Sequence, residues 1–315
     1  MNSVYKHYSC IHLLSIHAHK CILFIGLVLS FCYQYYTCTA QTIDSSQFNK
    51  KKFTILATTA GVGYNAGMVG LAHIWYKDQL TNSFTFFNDN GEWNYMDKMG
   101  HLFTSFHLSY GSVRMLQWTG SSRKKSIWYG GLTGAAIMLP IEIFDGFSQE
   151  YGASWGDATA NTMGSIAVVS QYLLWDEIRI TPKFSYHETS YATLRPNTLG
   201  STPVERALKD YNGQTYWLSF NIASLTHSHT IPRWLNVSVG YGAKEMVYAL
   251  PNENNAKGYR SYTQGFLSLD VDFTRIKTKS KFFNSFLHAL NLLHVPLPTL
   301  EYSGREGFVF HPIYY

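Results

Sequence analysis

The chain has 315 residues, enough for one large domain or two smaller ones, with 14% charged residues against 16% aromatic. That balance is poor in charge and rich in rings for a cytosolic protein, and it points to a membrane or an envelope compartment. The formal net charge of +5 is spread thinly, with basic runs only at Lys50-Lys51-Lys52 and Arg123-Lys124-Lys125, which gives no support for a nucleic-acid partner.

The polar, His-rich residues 1–20 read as no folded element. Lys20 then precedes an apolar run over 21–31, and small residues lead to the Ala40–Gln41 bond. Positive residue, apolar core and small-residue exit make a secretory signal over 1–40, with an uncleaved N-terminal anchor helix as the alternative. Lipidation would need Cys32, and the bulky Phe31 before it fits such a site badly. All four cysteines, Cys10, Cys21, Cys32 and Cys38, lie in this segment. Its removal leaves no thiol, which excludes disulfide-linked partners, cysteine-bound metals and cysteine nucleophiles.

A polar linker over 41–52 leads to a stretch, 53–76, without Asp, Glu, Lys or Arg, and about 20 such residues cross a bilayer as helix. Its Gly and Ala content favours close helix contacts. Asn88-Asp89-Asn90-Gly91 marks a turn. Further helices are expected over 101–118, 126–144 and 158–175, which with the first make a compact bundle within 53–180. If all four cross a membrane, the two basic runs share one side and the more acidic loops 77–98 and 145–157 share the other. The positive-inside rule then puts the N-terminal flank in the cytoplasm, whereas a cleaved signal puts it outside. The conflict favours something other than an ordinary inner-membrane bundle.

Beyond residue 180 the period changes to two. Residues 216–222, 235–239 and 267–273 alternate apolar with polar, and 183–192 and 306–311 are further strand candidates. Gly240 and Gly242 read as a tight turn after a strand, and Phe282 to Leu293 as an amphipathic helix. About five strands fall short of the roughly eight of a closed outer-membrane barrel, so a small sheet touching lipid is preferred. The fold expectation is α+β: a four-helix, membrane-associated bundle followed by a small antiparallel strand-rich extension over 181–315.

Charged groups inside such apolar segments are costly unless they pair or do work. On a helix, Asp97, His101 and Ser105 share one face at spacing four. Glu142 and Asp145 are three apart, Ser154 and Asp157 form a capping-box pattern, and Asp157 and Asn161 repeat at spacing four. Helix ends can therefore gather His101, Asp97, Glu142, Asp145 and Asp157 as candidate catalytic or metal-binding groups, with no particular cofactor or metal indicated. A second reading is a structural polar network, in which Lys98 pairs Glu142 or Asp145 while Asn161, Ser148 and Ser154 satisfy the remainder. A third is a set of solvated helix ends. Thr226-His227-Ser228-His229 places two histidines at spacing two, without a third ligand nearby, and reads as a polar loop.

D-K-M-G-H-L-F-T-S-F-H-L-S at 97–109, E-I-F-D at 142–145 and G-A-S-W-G-D-A-T-A-N-T-M-G at 152–164 resemble the YfiM-like predicted periplasmic lipoproteins, a family of unknown function. The strand-rich tail looks like the longer forms in Bacteroidetes-type bacteria, and there is a more distant similarity to VanZ-like membrane proteins. The resemblance implies a bacterial envelope protein. The expected location is the outer membrane or a periplasm-facing membrane surface, with the inner membrane as the alternative, and the expected partners are the lipid bilayer or other envelope proteins. It supplies no activity. The family positions fall on Asp97, Lys98, His101, Glu142, Asp145, Asp157 and Gly164. Three functions follow as expectations: an architectural envelope protein, a membrane-bound hydrolase or transferase using His101 with Glu142 or Asp157, and a transport accessory.

Overall fold

The computed structural model describes residues 48–71, 81, 83–148 and 152–315. The expected signal segment and residues 72–76 of the first expected helix lie outside the described residues. Four long helices come first: α1 (Lys50–Leu71), α2 (Met96–Trp118), α3 (Arg123–Gly146) and α4 (Trp155–Trp175). Among the described residues α3 alone is long and apolar enough to cross a membrane, and only a third of it is buried. It is irregular, with one turn of π-helix over Ser126–Gly130. Its interruption frees the Gly134 and Ala135 amides, which Ser109 and Ser165 hydroxyls accept from at 3.0 and 2.8 Å.

Helices α2, α3 and α4 pack around Phe106, Val113, Ile127, Val168, Val169 and Tyr172. Their approach is close enough to need glycine. A Cβ on Gly164 would fall 2.1 Å from Ser105 Oγ and 2.4 Å from Leu102 O, and one on Gly134 would fall 2.0 Å from Ser105 O. Helix α1 is largely exposed and touches the others through few groups, among them Asn49 N to Thr119 O at 2.8 Å. Helices α2, α3 and α4 are thus tightly packed, and α1 meets them at few points.

Six antiparallel strands follow in simple meander order: β1 (Ile180–Tyr186), β2 (Gln214–Asn221), β3 (Leu235–Lys244), β4 (Tyr262–Val271), β5 (Leu297–Ser303) and β6 (Gly307–Tyr314). Helix α5 (Lys281–Leu290) links β4 to β5. Sequence periodicity missed β5, where Pro296 and Pro298 obscure the pattern. Strand β3 continues through Gly240 and Gly242, correcting the expected turn. A Cβ on Gly240 would meet the Trp217 ring at 2.7 Å, so its role is packing.

The two faces of the sheet are inverted relative to an ordinary soluble protein. Buried on the inner face are Lys183, Ser185, Ser219, Asn221, Asn236, Ser238, Gln264, Ser268, Asp270, Thr299 and Glu301, around the rings of Trp217, Phe266 and Tyr314. Exposed on the outer face are Leu218, Val239, Leu267, Leu269, Leu300, Tyr302, Phe308 and Phe310. The sheet curls enough for side chains to meet across its inside. Lys183 on β1 reaches Asp270 on β4 at 2.7 Å with both side chains fully buried, and Thr215 on β2 meets the Tyr314 hydroxyl on β6 at 2.9 Å. Ser219 donates to the same Asp270 carboxylate, Asn236 to Ser219, and Asn221 to Asn236. The free edge of β1 is bridged by the chain leaving α5, through Phe184 N to Leu292 O and His294 N to Phe184 O, both 2.9 Å. The outer side of β1 and β2 packs on α2 through Phe184, Tyr216 and Phe103.

Candidate functional site

At one end of the helices, α2 starts, α3 stops and α4 starts. The segment 83–87 laces the latter two together, with Thr85 N to Gly146 O at 2.8 Å and Phe87 N to Ala153 O at 3.0 Å. Ser154 caps α4, accepting from Asp157 N at 3.1 Å, as the capping-box spacing predicts. Helix α2 is entered through three consecutive left-handed residues, Trp93, Asn94 and Tyr95. Such backbone costs roughly 1–2 kcal/mol per residue and persists where neighbours fix it. Here Trp93 N donates to Ala249 O at 2.9 Å, and the Tyr241 hydroxyl donates to Asn94 O at 2.7 Å.

These ends bring the predicted groups together. Lys98 Nζ lies 2.6 Å from Asp89, 3.2 Å from Asp97 and 2.8 Å from Asp157. His101 Nδ1 faces Asn161 Oδ1 at 3.2 Å and Glu142 Oε1 at 3.4 Å, while Nε2 faces Asp97 and Asp157, each at 3.8 Å. The Asn161 amide donates to Glu142 at 3.1 Å. Lys98, Glu142, Asp157 and Asn161 are buried, and Asp97 and His101 are half-buried. Asp145 is half-buried and adds its charge beside Glu142. Ser148 is buried on the turn after α3, its N–H bonded to Asp145 O at 2.9 Å. Ser105 lies a turn further into the bundle against Leu102 O.

The partners of Lys98 differ from those expected. It pairs with Asp89, Asp97 and Asp157, not with Glu142 or Asp145; Glu142 goes to His101 and Asn161 instead. Two members were missed in the sequence. Asp89 sits in what reads as an ordinary Asn-Gly turn, yet it accepts from Lys98 and from Ser154 Oγ at 2.5 Å. Burial alone would raise its carboxyl, but the Lys98 and Ser154 hydrogen bonds outweigh that and hold it below the usual range. Tyr211 comes from the loop after β1 and donates to Asp97 Oδ1 at 2.9 Å. Burial, then the Asp97 charge, push its phenol well above the ordinary value. No local sequence signal could have linked a residue so distant in the chain.

Residues 83–174 match the model of a family described as predicted periplasmic lipoprotein (DUF2279). The family expected from the D-K-x-x-H, E-x-x-D and S-W-x-D order is the one found. The match covers the loop carrying Asp89, α2, α3 and nearly all of α4, and it supports a periplasm-facing location in the cell envelope. It includes neither the N-terminal cysteines nor the sheet. No curated protein and no solved structure matches the chain.

The chemistry open to the cluster is set by its cations. Four carboxylates, Asp89, Asp97, Glu142 and Asp157, converge on one ammonium and one imidazole. Asp97, His101 and Asp157 each offer an atom within 4.8 Å of the others, a spacing that suits a divalent ion. Asn161 Oδ1 and Glu142 Oε1 lie against Nδ1, and Nε2 points to the two aspartates. The Lys98 ammonium, however, already sits against Asp157 and Asp97 from the adjoining side. The Thr226–His229 histidines lie in an exposed turn, with His227 at φ +53° and the ring of His229 exposed, as a polar loop predicts.

Proposed function

We propose that this is an architectural protein of the bacterial outer membrane, in which helices and curled sheet present one lipid-facing surface and the polar cluster clamps the helix ends. The observation that carries the reading is the inversion of the sheet: polar groups inside and hydrogen-bonded to one another, aliphatic and aromatic side chains outside and, beyond the part packed on α2, exposed. Alternation of that sense is the signature of membrane β-structure, because lipid rewards outward apolar groups whereas water does not.

The helices fit the same surface. Trp128, Tyr129, Leu132, Leu139, Ile143, Met163, Ile166, Leu173 and Leu174 are exposed. Aromatic groups mark both limits, Trp128 and Tyr129 at one end and Phe84, Phe86, Phe87 and Trp155 at the other. The rise from Tyr129 to Gly146 is about 25 Å at ~1.5 Å per residue, the height of the apolar band of an outer-membrane protein at about 25 Å. The cluster then ties together the segments entering that band: the 83–92 loop, three helices and, through Tyr211, the sheet region.

The test is fractionation after an alkaline carbonate wash. Retention in the outer-membrane fraction is expected; release into the soluble fraction would overturn the reading.

A second reading, hydrolysis or group transfer assisted by a divalent ion, is favoured by the Asp97–His101–Asp157 triangle alone. It predicts stoichiometric metal in the purified protein, lost in His101→Ala while the fold survives. The clamp predicts an unchanged melting temperature on adding chelator.

A further inference from the structure

The end of the molecule opposite the cluster is basic. Lys50–Lys52 are brought there by the Asn49–Thr119 bond and by Lys52 stacking 5.0 Å over Trp118. Arg123, Lys124 and Lys125 open α3 beside the end of α4, where Arg123 meets Asp176 at 2.7 Å. Arg275 meets Glu177 at 2.9 Å, which carries the 272–281 loop to the same end. That loop brings Lys277, Lys279 and Lys281, all exposed. Asp176, Glu177 and Asp272 are each engaged by an arginine, and among the described residues none of these three lysines has a carboxylate within ion-pair distance.

Helix α5 begins in this loop and is sharply two-faced. One side is fixed to the bundle: Ser285 is buried, and Arg114 Nη1 reaches His288 Nδ1 at 2.8 Å. The other side exposes Phe282, Phe283 and Phe286. Asn284 Oδ1 accepts from Thr278 N at 2.8 Å, folding the lysine loop back over the start of the helix. The three rings and three lysines therefore share one exposed corner.

Resting on the membrane reading above, we propose that this corner is a docking site for anionic phospholipid: α5 lies in the interface with Phe282, Phe283 and Phe286 among the acyl chains and Lys277, Lys279 and Lys281 on the phosphates. Half-exposed rings beside lysines with no carboxylate in ion-pair reach are complementary to a surface that is apolar below and negative above, and to neither water nor an acidic protein alone. The site also sets orientation. The basic end meets the leaflet richer in anionic phospholipid, and the Asp89–Lys98 cluster faces the other.

The test uses the full protein reconstituted in phosphatidylcholine bilayers, with spin-labelled phosphatidylglycerol or phosphatidylcholine as probe. The wild type should immobilise the phosphatidylglycerol probe several-fold in preference to phosphatidylcholine. The preference should fall with each lysine neutralised at the surface, reaching parity in the Lys277→Gln, Lys279→Gln, Lys281→Gln variant. About 1 M salt should also abolish it. These surface substitutions touch no buried partner, so the variant retains its fold. Insertion without any lipid preference overturns the docking site alone. Failure to insert into the bilayer overturns the membrane reading and the docking site with it.

Discussion

Lys98 is the residue on which the cluster turns. Its ammonium lies within 3.2 Å of three carboxyl groups from two helices and a loop, and its side chain is 9% exposed. Removing one partner from a buried ion pair leaves uncompensated charge and costs about 3–5 kcal/mol. Lys98→Met should therefore lower stability by about that amount in detergent-solubilised protein, read by thermal or denaturant unfolding. His101→Ala should cost less, because its carboxylate contacts, at 3.4 and 3.8 Å, are longer than those of Lys98. Asp89 adds a pH dependence. Its folded carboxyl is held below the unfolded value, so its contribution is complete above the ordinary carboxylate range and is lost as pH falls through the lowered value. Melting temperatures should decline as pH falls below about 4, and Asp89→Asn should flatten that decline. The family motif made Asp97, Lys98, His101, Glu142 and Asp157 legible from sequence. Asp89 and Tyr211 were not, because a turn and a distant loop join the site only through the fold.

At the scale of elements, glycine governs how near α2, α3 and α4 come. Gly164→Ala places a methyl 2.1 Å from Ser105 Oγ and 2.4 Å from a backbone carbonyl of α2. The carbonyl cannot move without the helix, so a loss of about 1–3 kcal/mol from overpacking is expected on unfolding. The long helices were readable because their apolar runs exceed the length of a strand and are bounded by turn residues. Strand alternation was equally plain in β2, β3 and β4. What periodicity cannot give is which face is inside, since a period of two looks the same for a soluble sheet and a lipid-facing one. The inner face answers it with chemistry: Lys183 and Asp270 are fully buried against each other. Lys183→Met alone should destabilise strongly, whereas joint replacement of Lys183 and Asp270 by apolar residues should be close to neutral. A double-mutant cycle measures the difference.

For the molecule as a whole, polarity runs along one axis and apolarity around its waist. The carboxylate-rich cluster and the basic end containing α5 lie at opposite ends of the helices, while exposed aliphatic and aromatic side chains lie along the helices and on the outer face of the sheet. Composition agrees with this in outline: few charges and many rings leave many apolar side chains exposed. The arrangement was hidden because burial of the polar face arises from curling of the sheet, which no single strand encodes. A charge placed on the outer face, such as Leu267→Arg, should cost up to about 2–4 kcal/mol if that face meets the middle of a bilayer, and almost nothing if it meets water. The most direct measurement replaces the four N-terminal cysteines, introduces one at Leu267 and attaches a spin label to the protein in lipid vesicles. The account predicts relaxation by oxygen, which concentrates in lipid, and protection from a water-soluble nickel chelate. Ready access of the nickel chelate to Leu267 would contradict it.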